Sequence, residues 1–229
     1  FLCLSTNILN KYNESGDKNM KSDNPMIIPI SMDVVDSFLN YYKENEDQVD
    51  KDQYTHFLMF NSEVHNSAMT DELPGTQFKH GNILWHKAGV PPHVDICGKG
   101  NTHSLIIPLE VEKEDQKLIV FDQTYDEECT WFGDLDAEMN PDRSYGSEKN
   151  EAMYKTPGVQ GLTNEECPSE LTDHLPTYYG EDMWFGMSGV ALDYKVGTCI
   201  IFPSNKIHTT GTMTSEKIAV TSFIVYDDV

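Results

Sequence analysis

Three short apolar runs follow one another late in the chain: Val196 to Pro203, Lys206 to His208, and Lys217 to Val225. Ser204 and Asn205 separate the first two, and a polar stretch from Thr209 to Glu216 separates the last two. Runs this brief, rich in β-branched and aromatic residues and bounded by turn formers, are strands rather than helices. Earlier runs of the same kind are expected as strands over 26–28, 56–60, 82–87, 102–109 and 118–121, with 61–80 as loop. The pair 102–109 and 118–121, joined by an acidic turn over 110–116, reads as a hairpin. One stretch has helical spacing, with Val34, Val35, Phe38, Leu39 and Tyr42 behind Ser31 as N-cap, and predicts a helix over 31–46. The expected class is therefore all-β with minor α.

Chemistry enters with His93-Val94-Asp95. On an extended chain, side chains two apart share a face, so His93 and Asp95 converge while Val94 points away. Pro92 holds the chain extended just before them. His208 ends one of the late strands and only the fold can bring it to the pair. Two imidazoles and one carboxylate with open positions opposite suit non-haem Fe(II) and oxygen chemistry. Alone, such a pair is equally a loop histidine beside a solvated aspartate. His86 reads as a pocket-wall or surface histidine rather than a ligand.

Taken with those residues, the segments 80–122 and 195–226 resemble the 2-oxoglutarate/Fe(II)-dependent oxygenases. The late core strands of that family run Gly, apolar residues, Phe-Pro-Ser, the metal histidine, and then a basic residue opening the final strand. Gly197, Phe202, Pro203, Ser204, His208 and Lys217 stand at those places. The resemblance implies a double-stranded β-helix, a cupin-like jelly roll, with a helix packed outside. It implies Fe(II) held by His93, Asp95 and His208, 2-oxoglutarate as cosubstrate, O2 as oxidant, and ascorbate as a supporting reductant. Metal affinity is expected to fall in mild acid, because each ligand must be deprotonated to bind. The far carboxylate of 2-oxoglutarate is expected at Lys217, a residue that by composition alone reads equally as a solvent-facing strand start. Family members often place Ser or Thr two residues after the basic residue, where this chain has Ala219. The accompanying hydroxyl is then expected from Thr102, Ser104 or Thr221. Asp95 speaks against halogenation, whose catalysts in this family carry a small residue there. Hydroxylation is the default outcome, with desaturation or ring closure open.

Length and charge bound the partners. A chain of 229 residues suits one domain, here 25–229 behind a polar, mobile lead-in over 1–24. The net charge of −22 and a single arginine, Arg143, argue against a nucleic-acid substrate. Five scattered cysteines without close pairing suggest reduced thiols and a cytoplasmic setting, and no apolar run is long enough for a membrane span. The glycines at 98 and 100 lack the following Lys-Ser/Thr and helix of a phosphate cradle.

Residues 123–195 combine turns, acids and many aromatics, and are expected as a lid and substrate pocket. Trp85, Trp131 and Trp184 are candidate pocket walls. A small-molecule substrate, amino-acid-like in size, is the first reading. A protein side chain, as in prolyl hydroxylation, is the second, and a metal-binding cupin-like barrel without catalysis is the third.

Overall fold

The structure, a computed structural model, describes residues 22–48, 55–59, 69, 71–86, 89–95, 102–113, 116–126, 130–132, 147–149, 152–176, 179 and 181–226. Most of the lead-in expected over 1–24 lies outside these residues, as do the glycines at 98 and 100. In chain order the elements are β1 (Met26–Pro29), α1 (Met32–Glu44), β2 (Thr55–Met59), β3 (Thr76–His86), β4 (His93–Val94), β5 (Thr102–Val111) and β6 (Lys117–Tyr125). Then follow β7 (Thr130–Phe132), β8 (Ser147–Lys149), β9 (Val159–Gln160), α2 (Ser169–Thr172), β10 (Gly189–Asp193), β11 (Thr198–Pro203), β12 (Lys206–Thr210) and β13 (Lys217–Tyr226).

These strands form two sheets. The larger has the order β1-β11-β5-β13-β3-β2, and the smaller β10-β6-β12-β4-β7-β8 with β9 beside β6. Every pairing is antiparallel except β7 with β8. The arrangement is the double-stranded β-helix expected from the sequence.

Strand alternation sorts the apolar residues into three layers. Ile106, Ile200, Phe202 and Ala219 of the larger sheet meet Leu118 and Val120 of the smaller one, with Tyr194 among them, and fill the barrel interior. The opposite face of the larger sheet presents Ile83, Trp85, Leu105, Ile107, Ile201 and Val220 to Val34, Val35, Phe38 and Tyr42 of α1. The opposite face of the smaller sheet presents Val94, Ile119, Phe121 and Ile207 to Met153, Leu171, Leu175 and Trp184. Each large aliphatic or aromatic side chain buried in this way contributes roughly 1.5–3 kcal/mol, so both faces of both sheets are stabilised. No helix among the described residues is long and apolar enough to cross a membrane.

Three local expectations change. β5 and β6 do not pair as a hairpin: β5 lies between β11 and β13, while β6 lies between β10 and β12. The short connection carries the chain from one sheet to the other. Gln116 anchors it, its side-chain amide donating to the Ser215 carbonyl (2.8 Å) and the Ser215 hydroxyl (2.7 Å). β3 begins at Thr76 rather than 82, because ten residues of β13 supply a ladder long enough to extend it through polar sequence. The segment 123–195 is partly barrel: β7 pairs with β4, and β10 pairs with β6 along five residues. Helix α1 falls within its expected limits, although the Ser31 side chain makes no capping bond. The Ser31 amide donates instead to Glu72 Oε1 at 3.2 Å.

Candidate metal centre

Strand pairing delivers the distant histidine. His208 on β12 lies directly opposite His93 on β4, and their ring centroids are 4.1 Å apart. Asp95 follows β4, and its amide donates to the Ser204 carbonyl (3.1 Å) in the turn leading into β12. The carboxylate is thereby brought 3.7 Å from His93 Nε2 and 3.6 Å from His208 Nε2. One ligand atom from each residue lies within 4.8 Å of the others. Bonds of about 2.0–2.2 Å to a divalent ion place neighbouring ligands roughly 3 Å apart, so a small inward movement of these side chains closes a three-sided cap.

The hydrogen bonds around the cluster orient it. His93 Nδ1 lies 2.7 Å from the Pro91 carbonyl and His208 Nδ1 lies 3.0 Å from the Lys206 carbonyl. A carbonyl can only accept, so each Nδ1 carries the proton and each Nε2 turns its lone pair inward. The Ser104 hydroxyl donates to Asp95 Oδ2, which fixes the rotation of that carboxylate. Burial first, and the neighbouring His208 second, push His93 down to about 3, against opposing effects of Asp95 and the Pro91 carbonyl. The ring is neutral at physiological pH and available to a metal.

Lys217 occupies the same interior. It is 2 % exposed, its Nζ has no hydrogen-bond partner among the described residues, and burial drives its pKa well below 10.5. The ammonium lies 3.5 Å from the centroid of the Tyr194 ring. Tyr194 is itself buried, and its hydroxyl lies toward the side chain of Thr210, two residues beyond His208. His86 is buried directly across the ladder from Lys217. A buried cation with no acceptor among the described residues fits an anionic guest, since an unpaired charge inside a protein is strongly unfavourable. The three-sided cap and this cation together fit a metal and a dicarboxylate.

The hydroxyl candidates separate. Ser104 is committed to Asp95, and Thr102 Oγ1 accepts from the Ser204 hydroxyl at 2.9 Å. Thr221 shares the strand face of Lys217 but stands four residues on, about 13 Å along an extended chain, too far to share one carboxylate with it. Sequence reasoning missed Tyr194 and Thr210. The signal for Thr210 was its place two residues from His208 on one strand; Tyr194 lies outside any strand and carried none.

The tryptophan expectations are corrected at two positions. Trp85 lies on the outer face of the larger sheet in the α1 layer, with its indole Nε1 donating to Glu216 Oε2 at 3.2 Å. Trp184 stacks on Phe121 (centroids 5.6 Å apart) over the outer face of the smaller sheet. Both therefore face away from the barrel interior: Trp85 alternates on β3 with His86, which pairs with Lys217, and Trp184, in the short 3-10 helix Glu181–Trp184, packs onto the smaller sheet from outside. The backbone of Trp131 pairs with that of His93, and its side chain lies outside the described residues.

No family model and no curated protein matches this chain. Solved structures do. The non-haem alpha-ketoglutarate-dependent carbocyclase SnoK from nogalamycin biosynthesis aligns with 93% of this chain and 85% of its own, at 15% identity and a TM-score of 0.53. The alpha-ketoglutarate-dependent epimerase SnoN from the same biosynthesis aligns over 90% of this chain and 82% of its own, at 12% identity and a TM-score of 0.50. At such identities the likeness is one of fold: this chain shares the double-stranded β-helix of those enzymes.

Proposed function

We propose that this chain is an Fe(II)- and 2-oxoglutarate-dependent oxygenase that oxidises a small organic molecule, with hydroxylation as the default outcome. The observation that carries the reading is a buried Lys217 ammonium with no acceptor among the described residues, inside the same barrel as the His93, Asp95 and His208 cap.

In this reading His93 Nε2, His208 Nε2 and an Asp95 oxygen would hold the metal, a donor set suited to Fe(II) and oxygen chemistry. Ser104 and the carbonyls of Pro91 and Lys206 keep those three groups aimed. Lys217 binds the far carboxylate of 2-oxoglutarate. Ile106, Leu118, Val120 and Phe202 line the interior between the sheets and exclude water, which strengthens the Lys217–carboxylate attraction. When bound, iron, 2-oxoglutarate and O2 together supply the oxidation of a substrate C–H bond, with succinate and carbon dioxide as coproducts.

The test is succinate formation by purified protein with Fe(II), 2-oxoglutarate and ascorbate, in air and anaerobically. Oxygen-dependent succinate is expected from wild type and none from His93→Ala, with a much higher 2-oxoglutarate requirement for Lys217→Ala. A metal-binding barrel without catalysis gives no succinate and no 2-oxoglutarate binding to the iron-loaded protein. A screen of small molecules beside intact proteins then separates substrate classes, and turnover on proteins alone would replace the small-molecule reading with side-chain hydroxylation.

A further inference from the structure

Lys217 is charged only if something inside the barrel favours the charge, and among the described residues one group does so directly. The ring of Tyr194 lies under the ammonium at 3.5 Å from Nζ to centroid. The ring is 4 % exposed, so its attraction for the cation is not screened by water. Its place is set at the backbone, where the amide donates to the Gln116 carbonyl at 3.3 Å, while the hydroxyl lies toward Thr210 on the strand of His208. Gln116 is fully buried and its side chain grips Ser215 and the Glu216 carbonyl, immediately before Lys217. One residue therefore spans from the metal-ligand strand to the segment that aims the lysine.

We propose that Tyr194 is a positioning residue for Lys217: the face of its ring holds the ammonium charged and aimed until an anion arrives. This rests on the function proposed above for the identity of the anion, but not for the state of the lysine. The ring face, rather than the hydroxyl, is the working surface. Phenylalanine should then replace tyrosine with little loss, whereas an aliphatic side chain of similar burial should not.

Two measurements on the full chain decide it. Titration of lysine side chains by NMR, with Lys217 assigned by its absence from Lys217→Met, reads the ammonium in protein without ligand. Tyr194→Leu is expected to lower the Lys217 titration midpoint by about one pH unit or more, and Tyr194→Phe to leave it close to wild type. Calorimetric binding of 2-oxoglutarate to the Zn(II)-loaded protein at pH 7 is expected to weaken about tenfold or more for Tyr194→Leu and by less than about threefold for Tyr194→Phe. The Leu variant should also lose affinity at lower pH than wild type as pH rises. Tyr194→Met serves if the Leu variant does not fold. An unchanged midpoint in the aliphatic variant overturns the proposal, as does an equal shift in the Phe variant, which would assign the effect to the hydroxyl. Should wild type fail to bind 2-oxoglutarate while the midpoint still follows the ring, the proposed function falls and the role of Tyr194 stands.

Discussion

Replacing Lys217 by methionine should stabilise the protein while removing its affinity for 2-oxoglutarate. The side chain is buried with no hydrogen-bond partner among the described residues. Desolvating an ammonium costs several kcal/mol after relaxation, and the Tyr194 ring offsets about 2 kcal/mol of this. Lys217 therefore destabilises the ligand-free protein by roughly 1–3 kcal/mol. Methionine has similar length, no charge and an adaptable thioether, so Lys217→Met should raise stability by about that amount. For a chain of this size, the rise corresponds to about 2–12 °C in Tm. The lead should depend on pH. The folded pKa lies below 10.5, so between that value and 10.5 the unfolded chain binds more protons than the folded one. Wild-type stability rises with pH across this window, and the lead of the Met variant narrows. At 100 times its dissociation constant, 2-oxoglutarate added to the metal-loaded protein should stabilise wild type by about 2.7 kcal/mol beyond metal alone and add nothing to the metal-loaded variant. Denaturant unfolding at pH 7 and 9.5, with and without ligand, reads all of this. A Met variant less stable than wild type by more than about 1 kcal/mol at pH 7 would refute the reasoning, because it would mean that the ammonium already has a partner.

Ser104→Ala should leave the fold intact and weaken metal binding by about 10–100-fold, measured by competition with a chromogenic chelator, because Asp95 loses the donor that fixes its rotation. Gly189→Ala should destabilise by about 3 kcal/mol or more, seen as a lowered Tm: its Cβ would stand 2.7 Å from Phe121 Cα and closer still to the Val120 carbonyl, across the ladder from His208. Trp184→Ala should cost about 3–5 kcal/mol through the lost stack on Phe121. In the succinate assay, the surviving folded fraction should show an unchanged requirement for 2-oxoglutarate.

What the sequence made legible was what depends on local spacing. His93 and Asp95 could be paired because an extended backbone puts alternate residues on one face, and α1 because its apolar residues keep helical intervals. Trp85 and Trp184 were misplaced for a related reason. Both sheets are covered on both faces, so an aromatic turned toward α1 or toward Met153 and Leu171 is as apolar in context as one facing inward. Parity could have placed Trp85, which is adjacent to His86, the residue across from Lys217, and so points the other way; Trp184 lies in a 3-10 helix, where parity does not apply. The β5–β6 connection was misread because a short turn is compatible with either a hairpin or a step between sheets, and the deciding partners, β11, β13, β10 and β12, come from much later in the chain. Tyr194 was beyond reach because it gains its role from a ring face and an amide that meet separate segments.

The place of β13 also bears on how the molecule comes into being. It is the last described strand, yet it sits inside the larger sheet, laddered to β5 on one side and to β3 on the other. Until it leaves the ribosome, β3 and β2 have no connection to the rest of their sheet, and the half-built barrel exposes two long unpaired edges. Synthesis therefore presents early strands, β2 and β3, that wait for a much later one, a high-contact-order topology that folds slowly and invites edge-to-edge association in the interval. Because Lys217 opens that same strand, the cation enters the barrel in the step that closes it.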